Sequence, residues 1–306
     1  MAYPIQWSGY FQDALTRKNT IYSAGLVSTT FVPVNEVAGE ISERWYNDDL
    51  ESVVTHTRIA SDSTTVTAGA LTSDVEKHAV YQSGFGMKEA QFDAIRKGSS
   101  GIDGAITQIA DTAIRDDQTI MKAVMDGVFA TALNSSHYTD FSGSAISGKL
   151  FNELAWDSLG EGADELTTIV MHSNTMRKLS NVMGYDEAEK FGIAAAGLVR
   201  VLNGLRVVIN DTVCAASSNK YPVYLSGDNA LFTEYHENLR ILEDDKPAVG
   251  GGTKEYYVYR TAKYGVNGVG WASSSAPTSD SDLQTGSNWT KKLDNKQILL
   301  LKADVA

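Results

Sequence analysis

The chain of 306 residues has 42% hydrophobic residues, which is enough apolar content for a large buried core and excludes a disordered protein. Its net charge of −12, from 38 acidic and 26 basic residues, argues against tight binding of nucleic acid through a basic face. Cys214 is the only cysteine, so a disulfide framework and a cysteine-built metal site are excluded. No apolar run approaches the roughly 18 residues of a membrane helix, and residues 1–13 lack the pattern of an export signal.

The first 40 residues carry aromatic side chains at a spacing that is neither helical nor alternating. These are Trp7, Tyr10, Phe11, Tyr22 and Phe31. A segment of this kind cannot fold alone, because it has no apolar face of its own to pack against. Its aromatic side chains must be buried against the body of the same chain or against a neighbouring copy.

Residues 41–86 predict a long hairpin. Leu50–Ile59 and Val75–Gln82 have strand-like composition, and Gly84 and Gly86 close the hairpin. The stretch between the strands is rich in Ser, Thr, Gly and Ala and has almost nothing to bury. Because an isolated hairpin is only marginally stable, two interpretations stay open: a surface loop, or an arm that lies on an adjacent subunit.

The longest helical pattern of the chain runs from Ser100 to Leu133, after a short amphipathic helix predicted over Met87–Lys97. Ser100 and Asp103 have the spacing of a helix start signal. Apolar residues recur on one face: Ile102, Ile106, Ile109, Ala110, Ala113, Ile114, Ile120, Met121, Val124, Met125, Val128 and Phe129. Polar residues mark the other face: Gln108, Asp111, Arg115, Gln118, Lys122 and Asp126. A helix of this length spans about 50 Å and must support several layers.

This helix is unlike a coiled coil, because Asp116, Asp117 and Gln118 interrupt the apolar seam midway. We therefore predict a single long helix of a globular core. Sequence periodicity alone leaves open whether that core is the core of an enzyme or of another kind of protein.

The remainder of the chain mixes helices with antiparallel-looking strands and lacks regular βαβ alternation, which predicts the α+β class. Predicted helical segments are Ser147–Leu159, Ser173–Met183 and a short turn over Gly227–Phe232. Predicted strands are Leu166–Met171, Leu205–Ile209, Tyr221–Leu225, Arg240–Leu242, Lys254–Tyr264 and Ile298–Leu301. Residues 244–252 read as a linker and residues 273–282 as a polar loop.

No motif in the sequence predicts catalysis or a cofactor. The glycines of residues 250–254 lack the spacing of a phosphate loop, and those of residues 265–270 predict a turn, since they do not lead into a helix. Cys214 has no recognisable catalytic surroundings. Asp48 with Asp49, and Asp244 with Asp245, are predicted to be solvated surface pairs.

The histidines are too scattered to chelate a metal from one helix face. They are His56, His78, His137, His172 and His236. His172 follows a predicted strand and is the candidate for proton transfer, although a histidine that caps the next helix is the more ordinary interpretation. Ser173 or Asn174 can also cap that helix. We predict no catalytic residue, no cofactor-binding residue, no metal ligand and no cofactor.

Four stretches, taken in order, resemble the major capsid proteins of tailed bacteriophages, which have the Hong Kong 97-like fold. Residues 43–50 (ERWYNDDL) resemble the start of the extended loop in one coat-protein family, and Ile109–Ala130 is similar to its spine helix. Residues 147–160 with 166–181 resemble the run from the spine into the apical domain. The final loop is similar over residues 276–298, where matching positions are Asp282, Leu283, Asn288, Trp289 and Lys296.

The resemblance implies an N-arm over residues 1–40 and an extended β-hairpin loop (E-loop) over residues 41–86. A peripheral domain would combine residues 87–166, with the spine helix over 100–133, and residues 252–306. An apical domain would cover residues 167–251. The N-arm and the E-loop would then find their partners on neighbouring copies.

The function implied is self-assembly into pentamers and hexamers that form an icosahedral or prolate phage head around a double-stranded DNA genome. Implied partners are other copies of the chain, a separate scaffolding protein, a portal and a decoration protein, with only weak, non-specific contact to packaged DNA and none to a membrane. The implied location is the virion capsid, with assembly in the host cytoplasm.

Two features depart from the family, and two other functions stay open. The chain begins almost directly at the N-arm, so a scaffold would be a separate protein. Lys77 is the only lysine of the hairpin and is predicted to lie on a strand, so we assign no cross-link.

An encapsulin-type compartment shell is the alternative within the same fold. A soluble α+β hydrolase with a polar pocket near His172 is the alternative of another class.

Overall fold

A computed structural model describes residues 27–31, 41–47, 73–90, 101–182, 200–246 and 252–306. The helices are α1 (Gly101–Ala130), α2 (Gly148–Leu159), α3 (Ser173–Val182) and α4 (Asp280–Gln284). The strands are β1 (Val27–Phe31), β2 (Ile41–Asn47), β3 (Ser73–Ala90), β4 (Tyr138–Asp140), β5 (Leu166–Met171), β6 (Arg200–Leu202), β7 (Leu205–Ile209), β8 (Tyr221–Gly227), β9 (Leu231–Lys246), β10 (Thr253–Val266), β11 (Val269–Trp271), β12 (Trp289–Lys291) and β13 (Leu300–Val305).

The strands form two sheets, and the α+β class is confirmed. The first sheet has the order β1-β9-β10-β11-β12; β3 also pairs with β10, and β2 pairs with β3. The second sheet has the order β4-β13-β8-β5-β7-β6. Among the described helices, none is long and apolar enough to cross a membrane.

The long helix predicted from the apolar periodicity is confirmed as α1, of 30 residues. Its second half is buried along the predicted stripe, with Ala113, Val124 and Val128 fully enclosed. One position of the predicted polar face is wrong: Gln118 is buried. Since helices of globular proteins typically bury one face only, a helix enclosed on further sides marks the centre of the core.

The final part of the chain packs closely on the end of α1. Gly127 makes this possible, because a methyl group there would overlap the Leu283 carbonyl oxygen and lie 2.5 Å from Trp289 Nε1. The Trp289 Nε1–H donates to that same carbonyl at 2.7 Å. The Trp289 ring also packs edge-on against Trp271, with ring centres 5.1 Å apart. Gly127 therefore sets how closely the helix and this segment approach each other.

The second sheet is covered by α2, whose predicted end is confirmed and whose predicted first residue, Ser147, is the N-cap of the helix. Phe151, Leu154 and Leu159 of this helix are buried with Ile169 of β5 and Leu301 of β13. The helix ends at Gly160, which has φ of 58°, a backbone conformation that suits glycine. The predicted bounds of β5 and of β7 agree with the structure.

Several local predictions are wrong because strand pairing overrides local propensity. Met87–Ala90 belongs to β3 rather than to a helix, and Gly84 and Gly86 lie inside this strand instead of closing the hairpin. Eleven residues of β3 pair with β10, and this pairing holds the segment extended despite its glycines. The rest of the predicted helix, 91–97, lies outside the described residues.

Two further predictions before β10 are wrong: the helical turn over Gly227–Phe232 and the linker over Asp244 and Asp245, whereas the strand predicted at Arg240–Leu242 exists but is much longer. The predicted helical turn over Gly227–Phe232 is instead the end of β8, a turn and the start of β9. The predicted strand Arg240–Leu242 is the middle of β9, which continues through the predicted linker residues Asp244 and Asp245. Antiparallel pairing of β9 with β10 accounts for this continuous strand.

The polar loop over residues 273–282 contains the start of α4. Its first turn is a capping box, in which the Asp282 N–H donates to Ser279 Oγ at 3.3 Å and the Ser279 N–H donates to Asp282 Oδ2 at 3.1 Å. The composition of this segment predicted only a polar loop, although serine followed three residues later by an acidic residue is a helix start signal.

The hairpin predicted over residues 41–86 is described in part. β2 pairs with β3 antiparallel, with Ile41 opposite Ala79 and Asn47 opposite Ser73. The predicted strand Leu50–Ile59 lies outside the described residues. β9 joins the first sheet and β13 the second, so the predicted domain ranges do not coincide with the two sheets; the domain division itself stays a prediction.

We predict that Gly127→Ala lowers the stability of the folded chain by about 1–3 kcal/mol, since the added methyl group must push Leu283 and Trp289 away. Urea unfolding followed by tryptophan fluorescence measures this change. Gly143→Ala is the matched control, because nothing lies within 4 Å of a methyl group at that position. Equal unfolding midpoints for the two variants would contradict the role given to Gly127.

Candidate functional site

One face of the three long strands β3, β10 and β9 is an open surface. On β10, Val258 and Arg260 are buried, and Arg260 contacts α1. Side chains alternate along a strand, so Tyr257 and Tyr259 lie on the opposite face. Leu242 lies opposite Tyr257 in the register and is 42% exposed. We call this side of the three strands the open face.

The two tyrosine rings of the open face lie across glycines of the neighbouring strand. Gly86 pairs with Tyr257 and Gly84 with Tyr259. A methyl group would lie 2.9 Å from Tyr259 Cδ1 at Gly84 and 3.3 Å from Tyr257 Cδ1 at Gly86. Aromatic rings often cover strand glycines in this way, and the pairs explain why β3 tolerates glycines. Beside them is an open groove of about 330 Å³, lined by residues 82–86 and by the two tyrosines.

A cluster of charged groups lies at one end of the open face, beside its apolar centre. Lys246 Nζ donates to Glu255 Oε2 at 2.5 Å and lies 3.6 Å from Asp244 Oδ2. The Tyr257 hydroxyl donates to the same Glu255 carboxylate. The hydrogen bond from Lys246 is the main reason that the pKa of Glu255 lies below its usual value. An apolar centre with a charged rim is the anatomy of a protein–protein interface.

The other face of the three strands is attached to α1 by a buried ion pair. Arg260 Nη2 lies 2.6 Å from Asp117 Oδ1, and Arg260 Nη1 donates to the Ala113 carbonyl oxygen at 2.7 Å. The hydroxyls of Tyr235 and Tyr264 donate to the two Asp117 carboxylate oxygens, at 2.8 and 2.6 Å. One carboxylate thus connects the helix to both central strands of the first sheet.

Burial and neighbouring charges shift the pKa of Arg260 in opposite directions. Burial lowers the pKa of Arg260, but the charge and hydrogen bond of Asp117, together with Tyr264 and Tyr235, more than offset burial, so the pKa is raised and the guanidinium stays charged. Burial also raises the pKa of Asp116, the neighbouring carboxyl, although Ser83 and Arg260 oppose that rise. A buried charge that is paired and hydrogen-bonded on several sides avoids most of its desolvation cost.

The sequence patterns did not predict this network. Asp117 was interpreted as an interruption of the apolar seam, yet it lies four residues after Ala113 and three before Ile120, on the buried face. Arg260 lies in a strand between Val258 and Ala262, at a position that alternation assigns to the core. A charged residue on the apolar face of each element was the signal that the two form a buried pair.

His172, the candidate for proton transfer, is a helix cap. Its Nδ1 accepts a hydrogen bond from the Asn174 backbone N–H at 3.0 Å. Ser173 makes two hydrogen bonds to Asp211. Its backbone N–H donates to the carboxylate at 2.7 Å, and its hydroxyl donates at 3.0 Å. The hydrogen bond from the Ser173 N–H is the main reason that the pKa of Asp211 lies below its usual value. The capping interpretation of His172 is confirmed, since this arrangement organises the start of α3.

The other candidate residues lie apart from one another. His137 is buried, and its Nε2 lies 3.0 Å from the Asn295 carbonyl oxygen. His78 is buried on β3, whereas His56 and the side chain of His236 lie outside the described residues. Cys214 is fully buried, and burial raises the pKa of its thiol, which disfavours the reactive thiolate. Within the described ranges no three His, Cys, Asp or Glu side chains come together as a metal site.

The turn predicted within residues 265–270 is confirmed: Asn267 and Gly268, the latter with φ of 84°, connect β10 to β11. Of the other glycine-rich stretch, Thr253 and Lys254 belong to β10, and Gly250 and Gly251 lie outside the described residues. Asp48 and Asp49 lie outside the described residues, whereas Asp244 and Asp245 are exposed on β9. Lys77 is exposed and lies on a strand, as predicted.

Comparison with known proteins gives a fold but no sequence relative: no family model matches the chain, and no curated protein matches it significantly. The capsid of Ralstonia phage GP4 has a TM-score of 0.61 at 9% identity, over 94% of this chain and 91% of that chain. The acid-stable capsid of Helicobacter pylori bacteriophage KHP30 has a TM-score of 0.58 at 11% identity, again over 94% and 91%. The SrpI encapsulin of Synechococcus elongatus has a TM-score of 0.56 at 10% identity, over 90% and 84%.

These likenesses extend over most of each chain. The chain therefore has the Hong Kong 97-like fold of phage major capsid proteins, as the sequence resemblance implied.

We predict that Arg260→Met alone destabilises the chain by about 3–5 kcal/mol, since it leaves the Asp117 charge buried without its cation. The double variant Arg260→Met with Asp117→Leu should cost less than the sum of the two single changes. Urea unfolding of the wild type, the singles and the double completes the cycle. Glu153→Gln is the control: it removes the exposed pair with Lys149 and should change stability by about 0.5 kcal/mol or less. A similar cost for the control and for Arg260→Met would contradict the role given to the buried pair.

For His172, we predict that His172→Ala lowers stability by about 0.5–2 kcal/mol through the loss of a cap. His172→Asn should recover part of that loss, because asparagine supplies a side-chain oxygen acceptor at a helix start. Thermal unfolding followed by circular dichroism measures both. No recovery in the asparagine variant would argue against a capping role.

Proposed function

We propose that this chain is the shell-forming subunit of a tailed-phage head, which self-assembles into pentamers and hexamers around double-stranded DNA. The observation that carries the proposal is the capsid fold, matched over more than nine-tenths of both this chain and the phage capsid chains. The identity to those chains is low, so the function rests on the fold together with the surfaces described above.

The open face fits a role in assembly. It presents Leu242 and two tyrosine rings on a sheet whose other face is occupied by α1. The exposed apolar groups do not stabilise a single chain. A neighbouring copy that covered the face would bury apolar area, which contributes roughly 25 cal/mol per Å². Weak contacts of this kind, repeated around a closed ring, make a durable shell.

The described sites favour a structural role over catalysis. His172, around which a hydrolase would be organised, caps a helix, and Cys214 is enclosed in the core. The encapsulin-type compartment remains the second candidate, because an encapsulin shares the fold. The two differ in content: a phage head would contain double-stranded DNA, and an encapsulin-type compartment would contain protein.

The proposal includes partners beyond the chain itself. We infer a separate scaffolding protein, a portal and a decoration protein, together with weak contact to packaged DNA. The net charge of −12 suits weak contact, since an acidic shell does not bind tightly to the packaged polyanion. The proposed location is the virion, after assembly in the host cytoplasm.

Negative-stain electron microscopy with light scattering on the purified chain tests the proposal. We expect closed particles tens of nanometres across, or rings of five or six subunits. Nucleic-acid and protein analysis of particles purified from their natural source then separates a phage head from a compartment. A chain that stays monomeric at high concentration and with added scaffold would overturn the shell function.

We predict that Leu242→Lys reduces assembly at least tenfold while the subunit keeps its stability, because the substitution places a charge at the apolar centre of the open face. Particle yield by light scattering, with unfolding midpoints of the dissociated subunit, measures both effects. Ser144→Lys, in the exposed turn after β4, adds the same charge away from this face and should leave the yield unchanged. Equal yields for the two variants would exclude the open face as an assembly surface.

A further inference from the structure

Trp156 of α2 is an exposed tryptophan that the fold of the single chain does not use. The described residues expose two large hydrophobic side chains, Leu242 of the open face and Trp156, which is 53% exposed. The core under α2 is filled by other residues of the helix, among them Leu154 and Leu159. A tryptophan stabilises a protein mainly when its ring is buried, and tryptophans are frequent at the centres of protein interfaces. The position of this ring therefore points to a contact with another molecule.

Carboxylates accompany the exposed indole along the chain. Glu153 lies one turn before Trp156 and Asp157 follows it, and both are exposed. Residues 148–165, which comprise α2 and the short 3₁₀ helix after it, contain five carboxylates and one lysine, Lys149. Lys149 Nζ lies 3.2 Å from Glu153 Oε1, so the surface remains acidic around one close ion pair. An aromatic ring in such surroundings favours a cation, because both the ring face and the carboxylates attract positive charge.

The outer surface of α3 has the complementary chemistry. This helix contains two cations, Arg177 and Lys178, and no acidic residue. Lys178 Nζ lies 5.6 Å from the centre of the Tyr221 ring in the same chain, whereas Arg177 is exposed. The planar guanidinium of arginine is weakly hydrated and stacks on aromatic faces. Arg177 is therefore the cation of α3 that suits a tryptophan ring on another molecule.

The two helices cover the same face of the second sheet. Leu154 of α2 and Leu179 of α3 are buried in one cluster with Ile169 of β5. Since these side chains face the sheet, the exposed side chains of Trp156 and Arg177 lie on the outer surfaces of the two helices. Both surfaces are thus presented on one side of the chain, where the outer surface of α2 in one copy can meet that of α3 in another.

We propose that the indole of Trp156 stacks against the guanidinium of Arg177 from a second copy of the chain, with Glu153 and Asp157 beside the cation. Each copy carries both surfaces, so the same contact can be repeated from copy to copy. The inference rests on the proposed self-assembly, since the second copy supplies the cation. It adds a contact that is separate from the open face and gives it a defined pair of residues.

Chemical cross-linking between full-length chains tests this contact. Asn152→Cys places a thiol one turn before Trp156, and Asn181→Cys places one a turn after Arg177, at positions that are both exposed. Equal amounts of the two variants are mixed under assembly conditions and treated with a short bis-maleimide. The native Cys214 is fully buried and is protected from the reagent. We expect the mixture to give at least tenfold more cross-linked dimer than either variant alone.

Further substitutions assign the cross-link to the two side chains. Adding Arg177→Leu to the Asn181→Cys chain, or Trp156→Ala to the Asn152→Cys chain, should lower the yield of dimer at least fivefold. Both together should lower it no further, because both remove the same contact. Arg206→Leu in the Asn181→Cys chain is the matched control and should leave the yield unchanged. It removes an exposed arginine of β7 from the other face of the same sheet.

Light scattering on the same samples separates this contact from the shell function. Particles that form without the cross-link, or equal yields from the mixture and from one variant alone, would overturn the contact, leave the shell function intact and assign Trp156 to a partner of another kind. A cross-linked mixture that forms neither particles nor rings would keep the contact and contradict the shell function. Neither cross-links nor particles at high concentration would overturn both. The mixture decides the question even where a further variant folds poorly, since both cysteines replace exposed residues.

Discussion

The fold depends on the attachment of one long helix to one long sheet through a single buried carboxylate. Asp117 contacts Arg260 and accepts hydrogen bonds from Tyr235 and Tyr264, so α1 is connected to β9 and β10 at the same point. An apolar contact would allow the helix to slide along the sheet, because the hydrophobic effect has no direction. A multiply hydrogen-bonded ion pair allows one register, and buried ionic groups are known to select register in other folds. The open face is presented in one orientation because its reverse side is fixed.

A second constraint on the fold is the close approach of neighbouring groups to glycine residues. Gly127 brings the final segment of the described chain against α1, and Gly84 and Gly86 bring tyrosine rings down onto β3. In both places a methyl group would occupy the space of a neighbour. These positions bring the helix, the sheet and the final segment into close contact.

Sequence periodicity predicted the elements whose burial follows a local rule. α1 has a long apolar stripe, α2 ends at a glycine, and β5 is a short apolar strand, and all three agree with the structure. Errors arose where a distant strand decides the conformation. Residues 84–90 and 231–246 contain glycines or helix-favouring residues, and their pairing with β10 makes them strands. The open face could not be predicted for the same reason, since its residues come from three distant strands, whereas the cap formed by His172 is local and was anticipated.

The position of β13 in the second sheet has a consequence for synthesis. β13 lies between β4 and β8, so it separates a strand near residue 140 from one near residue 225, yet it follows both in the chain. Leu300, Leu301 and Ala303 of this strand are fully enclosed. A chain that has emerged from the ribosome only as far as β12 lacks this interior strand and leaves the neighbouring edges of β4 and β8 open. The second sheet is therefore complete only after residues 300–305 have been synthesised, and a shorter chain cannot bury the surfaces that β13 covers.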